Sequence, residues 1–104
     1  MKYNKLVRDK IPEIIESNNE KAITRVLSDE EYRLELEKKL YEEYEEVINS
    51  NGDERIEELA DMLEVMIALA NNEGKDFEDI EKVRVLKKEK RGGFSKRIYL
   101  EDVK

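Results

Sequence analysis

Five acidic side chains in the middle of this chain have the types and spacing to hold a hard cation. Glu42, Glu43 and Glu46 lie in the run LYEEYEEVINSNGDERIEELAD (residues 40–61), and Glu58 and Asp61 close it. In a helix, residues three or four apart share a face. On the wheel of the first segment, Leu36, Leu40, Tyr44, Val47 and Ile48 form an apolar stripe with Glu43 and Glu46 along its border. On the second, Leu59, Leu63, Met66 and Ala70 make the stripe, bordered by Glu58 and Asp61. A tight turn at Asn51-Gly52 would lay the two helices antiparallel and bring the borders together. Carboxylates gathered this way repel one another, and Mg²⁺ is the natural counter-charge for such an all-oxygen donor set. Glu45, Glu57 and Glu64 point farther from the stripes and read as a solvated face.

Composition narrows the chemistry further. The chain has 104 residues, no Cys and no His, so disulfides, thiolate nucleophiles, zinc–sulfur sites and His-based triads are excluded within it. Acid–base work must fall to carboxylates, Lys, Tyr or a metal-bound water. The net charge of −7 is unevenly spread. From Asp29 to Glu64 there are fifteen acids and four bases, whereas Lys82 to Arg97 holds eight bases and one acid. The first ten residues add Lys2, Lys5, Arg8 and Lys10 against Asp9. An acidic centre disfavours a nucleic-acid polymer as partner, and a small anion held between metal and lysines suits both halves better. Without an apolar leader or a long uncharged run, the chain is expected to be cytoplasmic and to avoid membranes.

The elements that must position these residues are all helical. One domain, residues 1–104, is expected, with two long antiparallel helices and short extended segments at both ends. Met1 to Arg8 reads as an extended arm, and Asp9 as the N-cap of a short helix with Pro12 in its first turn. Ala22 to Leu27 is β-prone. Ser28 and Glu31 spell a capping box, opening a helix that runs to about Asn49. Asp53 is the expected cap of the next helix, ended by Asn71, Asn72 and Gly74. Met62, Val65, Ile67, Ala68 and Leu69 widen its apolar arc beyond what one small chain covers, which predicts a homodimer or higher homo-oligomer with a four-helix core. Asp76 caps the last helix, Gly92-Gly93 stops it, and the tail from Phe94 to Val103 alternates weakly enough to pair with residues 22–27.

With these landmarks in place, the chain resembles the all-α nucleoside-triphosphate pyrophosphohydrolase superfamily, the MazG-like proteins and their phosphoribosyl-ATP pyrophosphohydrolase relatives. The family signature, EExxE followed by ExxD, matches Glu42-Glu43-Tyr44-Glu45-Glu46 and Glu58-Leu59-Ala60-Asp61. The opening YNKLVRDKIPEII (Tyr3 to Ile15) and the closing KRGGFSKRIYL (Lys90 to Leu100) look like a small-protein branch of the same family. The resemblance implies Mg²⁺-dependent cleavage of a nucleotide to its monophosphate and pyrophosphate, with Mn²⁺ as a substitute ion. It maps the metal ligands onto Glu43, Glu46, Glu58 and Asp61, with Glu42 adjoining, and implies homodimers or higher oligomers.

The residue types then suggest roles. Glu42 or Glu43 would accept the proton of the attacking water. Arg8, Lys10, Lys88, Lys90 and Arg91 would neutralise the phosphates, and Gly93, with Gly92, would let backbone N–H groups approach them. Two rivals stand beside this reading: a dedicated phosphoribosyl-ATP pyrophosphohydrolase of histidine synthesis, and a non-enzymatic helical interaction module whose acids are merely solvated.

Overall fold

The computed structural model describes residues 2–104, and Met1 of the expected N-terminal arm lies outside them. Four helices follow one another: α1 (Ile11–Ser17), α2 (Asp29–Ile48), α3 (Gly52–Asn72) and α4 (Phe77–Arg91). No strand occurs among the described residues, so the tail does not pair with residues 22–27. Ile23 and Val26 instead stand almost fully in solvent. β-propensity expresses packing on a pleated, half-buried surface, and no such surface exists here for them to join.

Local chemistry fixes most helix boundaries. Both halves of the Ser28–Glu31 capping box are formed, and Glu31 also takes a forked pair of bonds from Arg25 at 3.1 and 2.9 Å. Together, the Arg25 guanidinium and the Ser28 backbone and hydroxyl donors hold the Glu31 carboxyl down to about 2. A depressed carboxylate stabilises the fold above its unfolded value, and that contribution fades as pH falls toward the folded one. Glu31→Gln keeps the capping bonds but not the charge. It should therefore lower the melting temperature by a few degrees at pH 7, with the gap closing between pH 4.5 and about 2. A melting series over that range checks it.

Two expected caps are corrected. α1 begins after Lys10 rather than Asp9, and α3 after Asn51 rather than Asp53; neither cap residue makes a side-chain bond to the helix. Asp53 lies inside the first turn of α3, where its charge favours the positive end of the helix dipole. Asp76 does cap α4, in a reciprocal box with Asp79. Gly92 ends that helix at φ 79° and ψ 179°, a conformation open essentially to glycine alone.

The α2–α3 hairpin is the body of the molecule. Residues 49–51 reverse the chain, and the turn is tied by Asn49 Nδ2 to the Glu45 carbonyl and by Arg55 Nε to the Ser50 carbonyl. α2 packs along α3, and α4 packs on α3 alone. Only Leu36 and Val65 are buried apolar side chains among the described residues. Tyr44, Ile48, Leu59, Leu63 and Met66, expected in the core stripes, remain 37–57% exposed.

The chain is accordingly open. Its radius of gyration is 18.0 Å, against roughly 13 Å for a compact domain of this length. Its 9849 Å² of accessible surface exceeds by about 3,700 Å² what a folded monomer of this mass exposes. Among the described residues no helix is long and apolar enough to cross a membrane.

Candidate metal centre

The hairpin seam can be followed residue by residue. On α2, Leu36, Leu40, Glu43 and Val47 are covered at three- and four-residue intervals, continued by Ser50 in the turn; on α3, Glu58, Asp61, Met62 and Val65 are. Glu43, Glu58 and Asp61 therefore lie half-covered along the interhelical seam. One carboxylate oxygen from each lies within 4.8 Å of the other two. Apolar residues at these places would pack with no electrostatic cost, so three acids there work against the stability of the hairpin.

The electrostatics record that cost. Glu43 is pushed above the ordinary carboxylate value, first by loss of solvation and then by the charge of Asp61, with smaller contributions from Glu46 and Glu42 against the relief from Lys39. Glu58 is raised for the same reasons: lost solvation first, then Asp61, Glu46, Glu43 and Glu54. A raised carboxyl binds its proton more tightly in the folded state, so its favourable contribution is complete below the unfolded value. As pH rises through the folded value, that contribution is lost. Glu43→Gln in metal-free buffer should thus melt higher than wild type at pH 7, by about 2–4 °C. The advantage should vanish below the ordinary carboxylate value of 4.5. A variant no more stable than wild type at pH 7 would show that the seam carboxylates do not repel.

The other expected site residues are distributed around this triad. Glu46 is exposed and lies outside it, although its charge reaches both Glu43 and Glu58. Glu42 is also exposed, with Lys39 Nζ 3.9 Å away. Arg8 arrives from the N-terminal arm and donates a 2.8 Å hydrogen bond to Asp61 Oδ1, so it meets the acids directly. That contact joins residues 53 apart in sequence and has no local signature. Lys10 is the N-cap of α1 and makes no ion pair. Lys88, Lys90 and Arg91 form the last turn of α4, away from the triad and without ion pairs to it. Gly93 lies beside the Lys88 side chain, 3.9 Å from where its own Cβ would be.

The donor set suits a hard divalent cation. All three groups are carboxylates, from two helices and half-covered, with Lys39 easing Glu43 and Arg8 paired with Asp61. Oxygens bound to one Mg²⁺ stand at most about 4.2 Å apart, twice the metal–oxygen distance, so small side-chain rotations would be needed for this triad to meet one ion. No protein-family model, curated protein or solved structure matches the chain.

Proposed function

We propose that this protein is a Mg²⁺-dependent nucleotide pyrophosphohydrolase that releases pyrophosphate from a nucleoside triphosphate or a related nucleotide, in a house-cleaning role. The observation that carries the reading is the convergence of Glu43, Glu58 and Asp61 within 4.8 Å inside a helical seam. The resemblance of Glu42–Glu46 and Glu58–Asp61 to the family signature supports it. The chemistry supplied by bound Mg²⁺, which Mn²⁺ can replace, is polarisation of phosphate oxygens and acidification of a water.

The rest falls to this chain's own side chains. Glu43, Glu58 and Asp61 hold the cation, with Glu46 as a further ligand within electrostatic reach. Glu42, exposed beside them, accepts a proton at its carboxylate. Arg8, once free of Asp61, binds a phosphate oxygen, and Lys10, Lys88, Lys90, Arg91 and the Gly93 N–H supply further donors. The same reading includes a homodimer in which α2 and α3 of two copies build a four-helix core. The half-exposed Leu59, Leu63 and Met66 and the excess surface of the single chain support that part.

A helical interaction module is the second reading, favoured by the same exposed apolar surface and by the Arg8–Asp61 pair, which satisfies one acid without a metal. A substrate panel separates the two. Pyrophosphate release is followed with Mg²⁺ on ordinary dNTPs, modified dNTPs and phosphoribosyl-ATP. Turnover of dNTPs is expected, preference for phosphoribosyl-ATP would assign the biosynthetic alternative, and no turnover of any member would leave the interaction module.

A further inference from the structure

Among the described residues, Arg8 is the one base from outside the α2–α3 hairpin that pairs with the seam carboxylates. Lys39, the other base that eases them, is carried by α2 itself. The Arg8–Asp61 bond spans 53 positions, whereas the other side-chain hydrogen bonds among the described residues join groups at most six apart. The segment that carries Arg8 is otherwise lightly held. No residue from Lys2 to Leu27 is buried, and α1 packs on no other helix among the described residues. Both partners of the pair are about half exposed, at 58% and 46% of their side-chain surface. Exposed ion pairs of this kind contribute little to stability. The arm thus meets the hairpin through charge rather than core packing, and its hold depends on the charge at Asp61.

A divalent cation changes that charge most. Bound about 2.1 Å from one Asp61 oxygen, it stands within about 7 Å of the Arg8 nitrogen. That is inside the roughly 8 Å screening length of physiological salt, so the two positive groups repel. Their claims on the seam are unequal. Arg8 bonds Asp61 alone, and with that bond in place Glu43 and Glu58 are still raised by lost solvation and by neighbouring acids. An ion between the three carboxylates brings two charges to all of them, where Arg8 brings one charge to one.

We propose that Arg8 and a divalent cation compete for Asp61, so that binding of the ion unlatches the N-terminal arm and frees its guanidinium. The proposal rests on the metal reading of the seam and gives it an order: ion first, phosphate second. A nucleotide that arrives after the ion meets an arginine with no carboxylate partner, and one that arrives before it meets a closed pair. The same competition sets a threshold of charge. A monovalent cation only matches Arg8 in charge and lacks its hydrogen bond, so it leaves the latch closed.

Neither substrate nor turnover is needed to test it. The chain has no cysteine, so Lys5→Cys carries a single nitroxide on the arm, three residues from Arg8. Nitroxide mobility is read by electron paramagnetic resonance and Mg²⁺ binding by calorimetry, with circular dichroism to confirm that helix content is kept. Mg²⁺ should free the nitroxide over the same concentration range as the heat of binding, and K⁺ at equal ionic strength should not. Adding Arg8→Ala should tighten Mg²⁺ binding by about three- to tenfold, the gain expected when a half-exposed competing pair is removed. Its nitroxide should be mobile from the start and indifferent to the ion. Mg²⁺ that binds without moving the nitroxide, or that binds Arg8→Ala no more tightly, would show that Arg8 and the ion share Asp61. The latch would then fall and the metal centre would stand. No heat of binding with or without Arg8 would remove the metal centre itself, and the latch with it.

Discussion

Asp61→Asn should lower Mg²⁺-dependent pyrophosphate release by at least about a thousandfold, a loss of about 4 kcal/mol of transition-state stabilisation. Asp61 is the natural place to cut. Its carboxylate lies within 4.8 Å of both other acids, and its charge is the largest acidic influence on each of them. Asparagine has nearly the same shape and can still accept the Arg8 hydrogen bond, so the arm contact and the seam survive while the charge does not. In metal-free buffer the variant should melt above wild type, since the repulsion on Glu43 and Glu58 is relieved. Added Mg²⁺ should raise the melting temperature of wild type and leave that of the variant unchanged. Glu46→Gln is the graded comparison: exposed and outside the triad, Glu46 acts through its charge, and its loss should cost less than that of Asp61. Wild-type turnover in Asp61→Asn would remove the carboxylate site as the seat of the chemistry. An unchanged melting temperature in metal-free buffer would locate its acids in solvent.

How much of this arrangement the residues announced depended on how local its causes are. The Ser28–Glu31 and Asp76 caps were legible because both partners sit within four residues and the bonds need only a helix start. Asp9 and Asp53 misled for a related reason. An acid anywhere in the first turn satisfies the dipole, while the cap itself is chosen by the backbone conformation of one residue. The pairing of Glu43 with Glu58 and Asp61 followed from helical spacing on either side of a short turn. A helical wheel gives angles within one helix but not its rotation against a neighbour. It therefore put Tyr44 and Ile48 in the seam and Glu43, Glu46, Glu58 and Asp61 on its edge, where the structure half-covers Glu43, Glu58 and Asp61 and exposes Glu46, Tyr44 and Ile48. Met62, Val65, Ile67, Ala68 and Leu69, expected to widen the arc of α3 beyond the cover of one chain, are buried or half-buried within it, and the exposed apolar side chains of that helix are instead Ile56, Leu59, Leu63 and Met66. Arg8 on Asp61 could not be read at all, because nothing local relates an arm residue to a helix 53 positions later.

The midpoint of thermal unfolding should climb with protein concentration, by about 5–10 °C over a hundredfold range, because a two-chain fold gains by mass action what a one-chain fold cannot. The expectation comes from the scarcity of interior in the single chain. Leu36 and Val65 are the only buried apolar side chains among the described residues, while Ile56, Leu59, Leu63 and Met66, 37–65% exposed, recur every three or four residues along α3. In the proposed homodimer that repeat is the face a second copy covers, since the intrachain neighbour occupies the Val65 side. Two substitutions separate the contacts. Leu36→Ala hollows the seam that exists within each chain and should cost about 2–5 kcal/mol, with the concentration dependence retained. Leu63→Glu leaves that seam intact and puts a charge on the uncovered face, where a second copy would have to bury it unpaired. Its expected result is a chain of monomeric mass whose cooperative melt is lost at every concentration. A wild-type midpoint independent of concentration, or a Leu63→Glu protein that melts like wild type, would mean that the face on α3 meets water alone and that the hairpin stands without a four-helix core.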